Sequence, residues 1–295
     1  MSKMHEDEVE VDEPVLHRLL AAQFPQWADL PVTRVAESGT DHALFRLGDD
    51  LVARLPRIAW ADGQSALEAE WLPRLAPRLP LALSIPVALG EPDDDYPFGW
   101  SVNPWLPGEQ LDPARVDLKQ LAVDLAEFIR ELQGCDAAGA TLFGSRGHPL
   151  DQEQRDRNTR EALAAVADLI DAPAALAVWE SAQAAPAWAG PPTWFHGDLT
   201  EGNLLVRDGR LSAVLDWGPF GAGDPACELA AVWLLLDGPS RTLFRDALGC
   251  DDAAWERGRG WAISLGAIGI PYYRNTIPAF AQRGIRFVEA VLSDI

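Results

Sequence analysis

Hydrophobic periodicity changes once along this chain, and this change limits the possible folds more than any other feature. Between residues 30 and 105 the apolar residues fall in short, β-like runs separated by turns that contain Gly and Asp. Beyond Pro107-Gly108 they recur mostly at helical spacing. We therefore predict an α+β chain with a small β-rich N-terminal part and a larger, mainly helical C-terminal part.

The same pattern predicts individual elements. The opening helix is expected over residues 14–24, with Asp12 as a possible cap. Strands are predicted at residues 32–38, 43–47, 51–55, 84–89 and 99–105, and a helix at residues 64–75. Further helices are predicted at residues 113–132 and in alanine-rich stretches such as residues 162–187. The expected divisions are an acidic tail (residues 1–12), an N-terminal lobe (13–105) and a C-terminal lobe (106–295).

Charge and cysteine content exclude several classes of function. The chain has 24 basic and 45 acidic residues, a formal net charge of −21, which argues against nucleic acid or an anionic membrane as a partner. A cationic substrate is compatible with this charge, although solubility explains it as well. Three separated cysteines, no signal-peptide pattern and no apolar run of about 20 residues indicate a cytoplasmic protein. We expect a monomer or homodimer that acts on a small molecule.

The segment from Trp194 to Trp217 interrupts the helical pattern and carries chemistry. His196-Gly197-Asp198 is followed by Asn203, then by two apolar runs joined through Asp208-Gly209, and then by Asp216. Phosphoryl transfer needs a carboxylate that accepts the proton of the attacking hydroxyl, and oxygen ligands for magnesium on the phosphates. An aspartate, an asparagine five residues later and an aspartate after a hairpin is the layout of the protein-kinase catalytic segment.

Longer motifs in this region resemble those of the aminoglycoside/macrolide phosphotransferase family, a group of small-molecule kinases with a protein-kinase-like, bilobal fold. The similar stretches are residues 196–206, 214–218 and 223–230. The resemblance implies ATP or GTP and Mg²⁺ as cofactors. It implies that Asp198 is the catalytic base, and that Asn203 and Asp216 are magnesium ligands.

The resemblance also implies supporting roles. His196 would brace the catalytic loop, and Asp224 would do so through the loop backbone or would cap the helix that follows it. The family often has Asp where this chain has Glu228.

The N-terminal lobe of such a kinase needs a cation for the phosphates and a helical glutamate that positions this cation. Lysine occurs only at Lys3 and Lys119, so none lies in this lobe. Residues 54–57 resemble an Arg-hydrophobic-Pro-Arg run of the family, so we predict that Arg54 is the cation, with Arg57 as the alternative, and that Glu68 is its partner. The resemblance implies a nucleotide-covering loop at residues 38–42, with Ser38, Gly39 and Thr40 as the candidate contacts. Backbone groups of Pro104 and Leu106 are expected to contact the adenine.

The acceptor is expected to be an aminoglycoside or macrolide antibiotic, which would make the protein a resistance factor. Candidate acceptor-binding residues in the C-terminal lobe are Glu201, Asp237, Tyr272 and Tyr273. Two alternatives remain open. One is a metabolite kinase of the sugar, choline or homoserine type. The other is a nucleotide-binding pseudokinase, which only the missing lysine favours.

Overall fold

The computed structural model describes residues 8–35, 41–140 and 145–294, and these form two compact units. The first unit contains the described residues up to Pro77, together with Ala82–Gly108 and Ala213–Gly218. The second contains Arg78–Leu81, Glu109–Ser212 and the described residues from Pro219 onward. Strands dominate the first unit and helices the second, which confirms the predicted α+β fold class.

The first unit is built on an antiparallel sheet whose described strands run in the order β1-β2-β3-β6-β5. Two helices, α1 and α2, accompany this sheet. The elements of the unit are, in chain order, α1 (Glu13–Gln23), β1 (Val32–Arg34), β2 (His42–Leu47), β3 (Leu51–Pro56), α2 (Gln64–Leu75), β4 (Ala82–Leu83), β5 (Ala88–Gly90) and β6 (Trp100–Pro104).

The two faces of this sheet differ in character because side chains alternate along each strand. One face is apolar and packs with α1; its core includes Leu16, Leu20, Ala43, Phe45, Leu55 and Val102. The other face is polar although it is buried. There Ser65 of α2 donates to Ser101 of β6 (3.2 Å), and Ser101 donates to Asn103 (2.7 Å). The predicted phosphate-binding residues lie on this polar face.

Several element boundaries match the prediction. The Asp12 side chain caps α1 by accepting a hydrogen bond from the Val15 amide (3.0 Å), and α2 spans residues 64–75 as predicted, continuing through Pro73. Of the first predicted strand, the structure shows Val32–Arg34, while residues 36–38 lie outside the described residues.

One predicted strand and the start of one predicted helix are wrong. Residues 84–89 do not form one strand, because β4 ends at Leu83 and β5 begins at Ala88; Pro86, which has no amide hydrogen for a sheet ladder, lies between them. The helix predicted from residue 113 begins at Leu118 instead. Asp112 caps a separate 3-10 turn at Pro113–Arg115, and Asp117 caps the α-helix.

The second unit is mainly helical and carries the segment with the phosphotransfer motif. Helix α8 packs against α4, α5 and α9. Within the described ranges, no helix combines the length and the apolar character that crossing a membrane requires. The elements of the unit are β7 (Glu109–Gln110), α3 (Leu118–Gln133), α4 (Glu153–Ala165), α5 (Ala172–Ala184), β8 (Thr193–Phe195), β9 (Leu204–Arg207), β10 (Arg210–Val214, whose last two residues belong to the first unit), β11 (Gly221–Gly223), α6 (Ala231–Leu235), α7 (Gly238–Leu248), α8 (Asp252–Tyr273) and α9 (Pro278–Leu292).

The predicted hairpin of the motif segment is confirmed as β9–β10. Its turn residues Asp208 and Gly209 both have positive φ, 53° and 77°, the conformation that a two-residue hairpin turn of this kind requires. At its far end the hairpin changes units: Ala213 and Val214 pair in parallel with Ala82 and Leu83 of β4. Strand β10 thereby leads directly to Asp216.

Asp124 of α3 anchors this hairpin. Its buried carboxylate accepts hydrogen bonds from the Arg210 guanidinium (2.6 Å), from Gln120 (2.9 Å) and from the Leu211 amide (3.2 Å). Burial alone would raise the pKa of Asp124, but these donors outweigh it and hold the pKa below its usual value. The ionised carboxylate therefore stabilises the strand that leads to Asp216.

We predict that Asp124→Ala lowers the free energy of unfolding by about 2–3 kcal/mol, because it removes charge-assisted hydrogen bonds and leaves the buried Leu211 amide without this acceptor. Urea unfolding at neutral pH measures the change. Glu127→Ala, an exposed carboxylate on the same helix, is the matched control. Equal midpoints for the two variants would contradict the anchoring role.

Candidate active site

Arg54 lies between two carboxylates in the first unit. Its guanidinium is 2.5 Å from the Glu68 carboxylate on α2 and 3.0 Å from Asp216 Oδ1. Arg54 and Glu68 are both buried. Burial alone would lower the pKa of Arg54, but the two carboxylates raise it, so the guanidinium is charged. The structure thus brings together three residues that the sequence analysis assigned to phosphate and magnesium.

The alternative cation, Arg57, has a different partner. Its guanidinium donates to the buried Glu8 carboxylate at 2.7 Å, in the segment that precedes α1. Arg57 lies one residue beyond the end of β3 and three positions from Arg54, so alternation along the chain directs the two side chains to opposite sides. The other glutamate of α2, Glu70, is exposed, and its Oε1 lies 3.5 Å from Arg74 Nη2.

His42, the last residue of the predicted nucleotide-covering loop, is the first residue of strand β2. It lies on β2 on the same polar face as Arg54, since Leu44 pairs with Arg54 and residue 42 is two positions away. Its side chain is buried, and no described residue bonds its Nε2. Burial and the charge of Arg54 lower the pKa of His42 to about 3. The imidazole is therefore neutral at physiological pH.

The remaining residues proposed to bind nucleotide are placed as follows. Pro104 ends β6 and Leu106 follows it, both half-buried, and the intervening Trp105 amide donates to the Asp50 carbonyl (2.7 Å). Ser38, Gly39 and Thr40 lie outside the described residues.

In the second unit, Asn203 holds the carboxylate of Asp198. The Asn203 side-chain amide donates to the Asp198 carbonyl (2.8 Å) and to Asp198 Oδ2 (2.9 Å). His196, which is fully buried, accepts the Asp198 amide hydrogen at its Nδ1 (3.1 Å). Asp198 is thus held from both sides of the loop, which agrees with a bracing role for His196.

Glu228 fixes the backbone of the same loop, and the sequence analysis did not assign it this role. Its buried carboxylate accepts the amide hydrogens of His196 and Gly197, the latter at 3.1 Å. Burial raises the pKa of Glu228 to about 7, although the two amide hydrogen bonds oppose the rise. Gly197 has a φ of 83°, a conformation that favours glycine and turns the loop toward Asp198.

Asp224, the other predicted brace, lies at the start of the residue 225–230 turn. Its carboxylate caps this turn through the Ala226 amide (2.9 Å) and pairs with Arg257 of α8 (2.7 Å). These contacts agree with the predicted capping role of Asp224. The carboxylate that accepts the described hydrogen bonds from the loop amides is that of Glu228.

A cavity of about 170 Å³ adjoins Asp198 within the second unit. The catalytic loop forms one wall, and α8 and α9 form another through Tyr273, Phe280 and Arg283. Arg146 also lines it, with Nη2 at 3.5 Å from Asp198 Oδ1.

Of the four predicted acceptor-binding residues, Tyr273 lines this cavity and the other three do not. Tyr272 is exposed and packs edge-on against Tyr273 (4.8 Å between ring centroids). Asp237 caps α7 through the Ser240 amide (3.0 Å), and Glu201 begins the 3-10 turn that ends at Asn203.

Asn203 of the second unit and Asp216 of the first, the two residues proposed to bind magnesium, each have a suitable oxygen donor. Asn203 uses its NH₂ group on Asp198, which leaves its amide oxygen directed away from that contact. Asp216 is partly exposed, and the contact to Arg54 involves one of its carboxylate oxygens. Among the described residues, no group of three or more His, Cys, Asp or Glu side chains is arranged to hold a metal ion. Magnesium on nucleotide phosphates needs only one or two protein carboxylates.

Comparison with known proteins identifies the family. A profile of the phosphotransferase enzyme family matches residues 32–261, which is most of the chain. The chain belongs to the phosphotransferase enzyme family. No curated protein sequence matches it significantly.

Solved structures show that this phosphotransferase has the fold of antibiotic kinases. An aminoglycoside 2′-phosphotransferase of type IIIa in complex with GDP has a TM-score of 0.71 at 17% identity, and covers 96% of this chain and 98% of its own. The GDP and kanamycin complex of APH(2″)-IIIa has a TM-score of 0.69 at 19% identity, and the match covers 95% of this chain and 98% of that one. The macrolide 2′-phosphotransferase from Brachybacterium faecium has a TM-score of 0.60 at 24% identity, and the match covers 93% of this chain and 97% of that one.

The Arg54–Glu68 pair generates a prediction for this phosphotransferase. Arg54→Ala should lower the free energy of unfolding by about 3–5 kcal/mol, because Glu68 stays buried without its cation, and Arg54→Lys should recover part of it. Replacing both residues, as Arg54→Met with Glu68→Leu, should cost less than the sum of the single changes. Urea unfolding measures these terms.

Nucleotide titration of the same variants separates the two candidate cations. The double variant should bind ATP or GTP weakly because it lacks the phosphate-binding charge, whereas Arg57→Ala should bind nearly as wild type. The reverse order of affinities would assign the phosphates to Arg57.

Glu228 generates a prediction about pH. Its folded-state pKa of about 7 lies above the ordinary 4.5, so the folded chain keeps this proton in a range where the unfolded chain has lost it. The contribution of Glu228 to stability is therefore fully present below about pH 4.5 and declines, by on the order of 3 kcal/mol, as the pH rises to about 7. Glu228→Gln should lack this slope in urea unfolding across that range.

The matched control is Glu161→Gln, an exposed glutamate of the second unit. Its stability should follow that of wild type at each pH. A constant difference between wild type and Glu228→Gln would show that this carboxyl does not titrate differently in the folded state.

Proposed function

We propose that this phosphotransferase moves the γ-phosphoryl group of ATP or GTP, with Mg²⁺, to a hydroxyl group of a small molecule. The observation that carries the proposal is the pair of hydrogen bonds from Asn203 that holds Asp198 at the edge of the cavity. Family membership supports it, as do the nucleotides in related structures, which were solved with GDP and with ATP and streptomycin.

In the proposed reaction, the acceptor oxygen forms a bond to the γ-phosphorus while the bond to the β-phosphate oxygen breaks. The proton of the hydroxyl goes to the Asp198 carboxylate, and the nucleoside diphosphate leaves. Asn203 orients Asp198, and its remaining amide oxygen and the Asp216 carboxylate are the proposed metal ligands. Bound magnesium would neutralise charge on the phosphate oxygens.

Arg54 is proposed to bind the phosphates from the first unit. Guanidinium binds phosphate in a bidentate manner, and Glu68 holds it in place from α2. A paired and charged arginine can supply the positive charge of the missing lysine, which supports a kinase over a pseudokinase. A cytoplasmic location and a monomeric or homodimeric state stay predictions.

The acceptor class is the finer part of the proposal. Related structures are named for kanamycin, gentamicin and streptomycin complexes and for macrolide phosphotransferases. An aminoglycoside or macrolide acceptor, and with it antibiotic resistance, is what the resemblance predicts; a sugar, choline or homoserine kinase is the alternative. These acceptors differ in charge and size, so the lining of the cavity bears on the choice.

Asp198→Asn tests the reaction. The amide cannot take the proton, so turnover should fall by at least ~10²-fold, while nucleotide affinity stays near that of wild type. Magnesium-dependent release of ADP or GDP, measured with a panel of antibiotics and metabolites, provides the rate. Asp208→Asn, the same change at an exposed hairpin turn, should leave turnover intact. Wild-type turnover in Asp198→Asn would remove this carboxylate from the mechanism.

A further inference from the structure

The charged residues that line the cavity of the second unit are poorly suited to bind a polycationic acceptor. Four charged residues line it: Arg146, Asp198, Glu228 and Arg283. Asp198 is the proposed base, and Glu228 binds two loop amides. Neither carboxylate is available to pair with an ammonium group of the acceptor. Aminoglycosides carry several ammonium groups and would need such partners.

The two arginines, in contrast, have unused capacity. Arg146 Nη1 is buried, and no described residue bonds it. Arg283 lies with its guanidinium 4.7 Å from the centre of the Phe280 ring, and no described carboxylate pairs with it. A guanidinium has five N–H donors and favours carboxylate and phosphate as partners. The hydrogen-bonding capacity that remains unused in the cavity therefore belongs to guanidinium N–H groups, although the whole chain has a formal charge of −21.

Size and apolar surface narrow the class of acceptor further. The volume of about 170 Å³ is below the roughly 300–1,000 Å³ that is typical of pockets for drug-sized ligands. Leu234, Leu265, Phe280 and Phe287 supply apolar surface between the catalytic loop and Arg283. The acceptor that matches this lining is small and has an apolar body.

We propose that the acceptor is a small alcohol that carries a carboxylate or a phosphate group, with its hydroxyl at Asp198 and its anionic group on Arg283. Arg146, beside Asp198, adds a second donor at the same end of the cavity as the reacting hydroxyl. This assignment rests on the proposed phosphotransfer to a hydroxyl and defines its substrate class. In this phosphotransfer the hydroxyl proton passes to Asp198, and the anionic group of the acceptor forms and breaks no bond.

Matched acceptors test the proposal. 4-(Hydroxymethyl)benzoate, 1,4-benzenedimethanol and 4-(aminomethyl)benzyl alcohol share a ring and a primary hydroxyl, and differ in the charge of the group opposite. Glycerate with glycerol, and ribose 5-phosphate with ribose, distinguish carboxylate from phosphate recognition. Kanamycin and erythromycin represent the two antibiotic classes. Magnesium-dependent ADP release gives kcat and KM for each acceptor.

In wild type, we expect kcat/KM to be highest for an anionic member of a matched set. Arg283→Gln should reduce this preference by about 10- to 100-fold, the usual value of a hydrogen bond to a charged group, through the KM of the acceptor and not that of the nucleotide. Arg283→Lys should restore part of it. Arg286→Gln, an exposed position on the same helix, should behave as wild type.

Several results would overturn the proposal. These are a preference for the neutral or aminated member of each set, phosphorylation of kanamycin or erythromycin without that of any anionic alcohol, or an anion preference that Arg283→Gln leaves unchanged.

A binding measurement separates this proposal from the proposed function. Calorimetric titration with 4-(hydroxymethyl)benzoate, glycerate and ribose 5-phosphate, without nucleotide, reports the anion site independently of turnover. Binding that Arg283→Gln weakens, without turnover of any acceptor, would reject the phosphotransfer and retain the anion site. Absence of binding by all three probes would reject the anion site.

Discussion

The carboxylate of Glu228 holds the loop that carries Asp198, and the geometry of the candidate site in the second unit depends on it. Its two hydrogen bonds to the amides of His196 and Gly197 fix the backbone from which Asp198 projects. Asn203 and His196 then orient Asp198 itself. Burial makes the charged form of Glu228 costly and raises its pKa to about 7. The loop is therefore held by a group whose charge is poised near neutral pH.

In the first unit a buried carboxylate also positions a residue of the candidate site, but its partner is a side chain. Glu68 is also a buried carboxylate, but it faces the guanidinium of Arg54 instead of backbone amides. In both units a buried acidic side chain from a separate segment positions the residue proposed to act. Arg54 is proposed to act in place of a lysine, and its fork of N–H donors contacts Glu68 and Asp216 together. Removing either partner would leave a buried charge, which makes each pair costly to break.

What the sequence could predict was local. The Asp198–Asn203 spacing, the Asp208-Gly209 turn and helix α2 each depend on residues within a few positions of one another, and the structure has all three. Contacts between distant segments could not be predicted. Glu228 lies more than 30 positions after His196, and Val214 pairs with Leu83 of the first unit. The sequence analysis divided the chain at a single point, whereas residues 213–218 belong to the first unit. The pairing of Val214 with Leu83 is therefore absent from that division.

The charge of the cavity illustrates the same limit of local reasoning. The composition, with 45 acidic residues, is compatible with a cationic substrate, and acidic candidates such as Asp237 follow from it. The contacts of the individual side chains differ from what composition suggests. Asp237 caps a helix, Glu228 binds amides and Asp198 is held by Asn203, while Arg146 and Arg283 face the cavity. Net charge counts every group equally, whereas an acceptor interacts with the few whose hydrogen-bonding capacity is unused. The charge of the substrate is therefore set by which side chains remain uncommitted after folding.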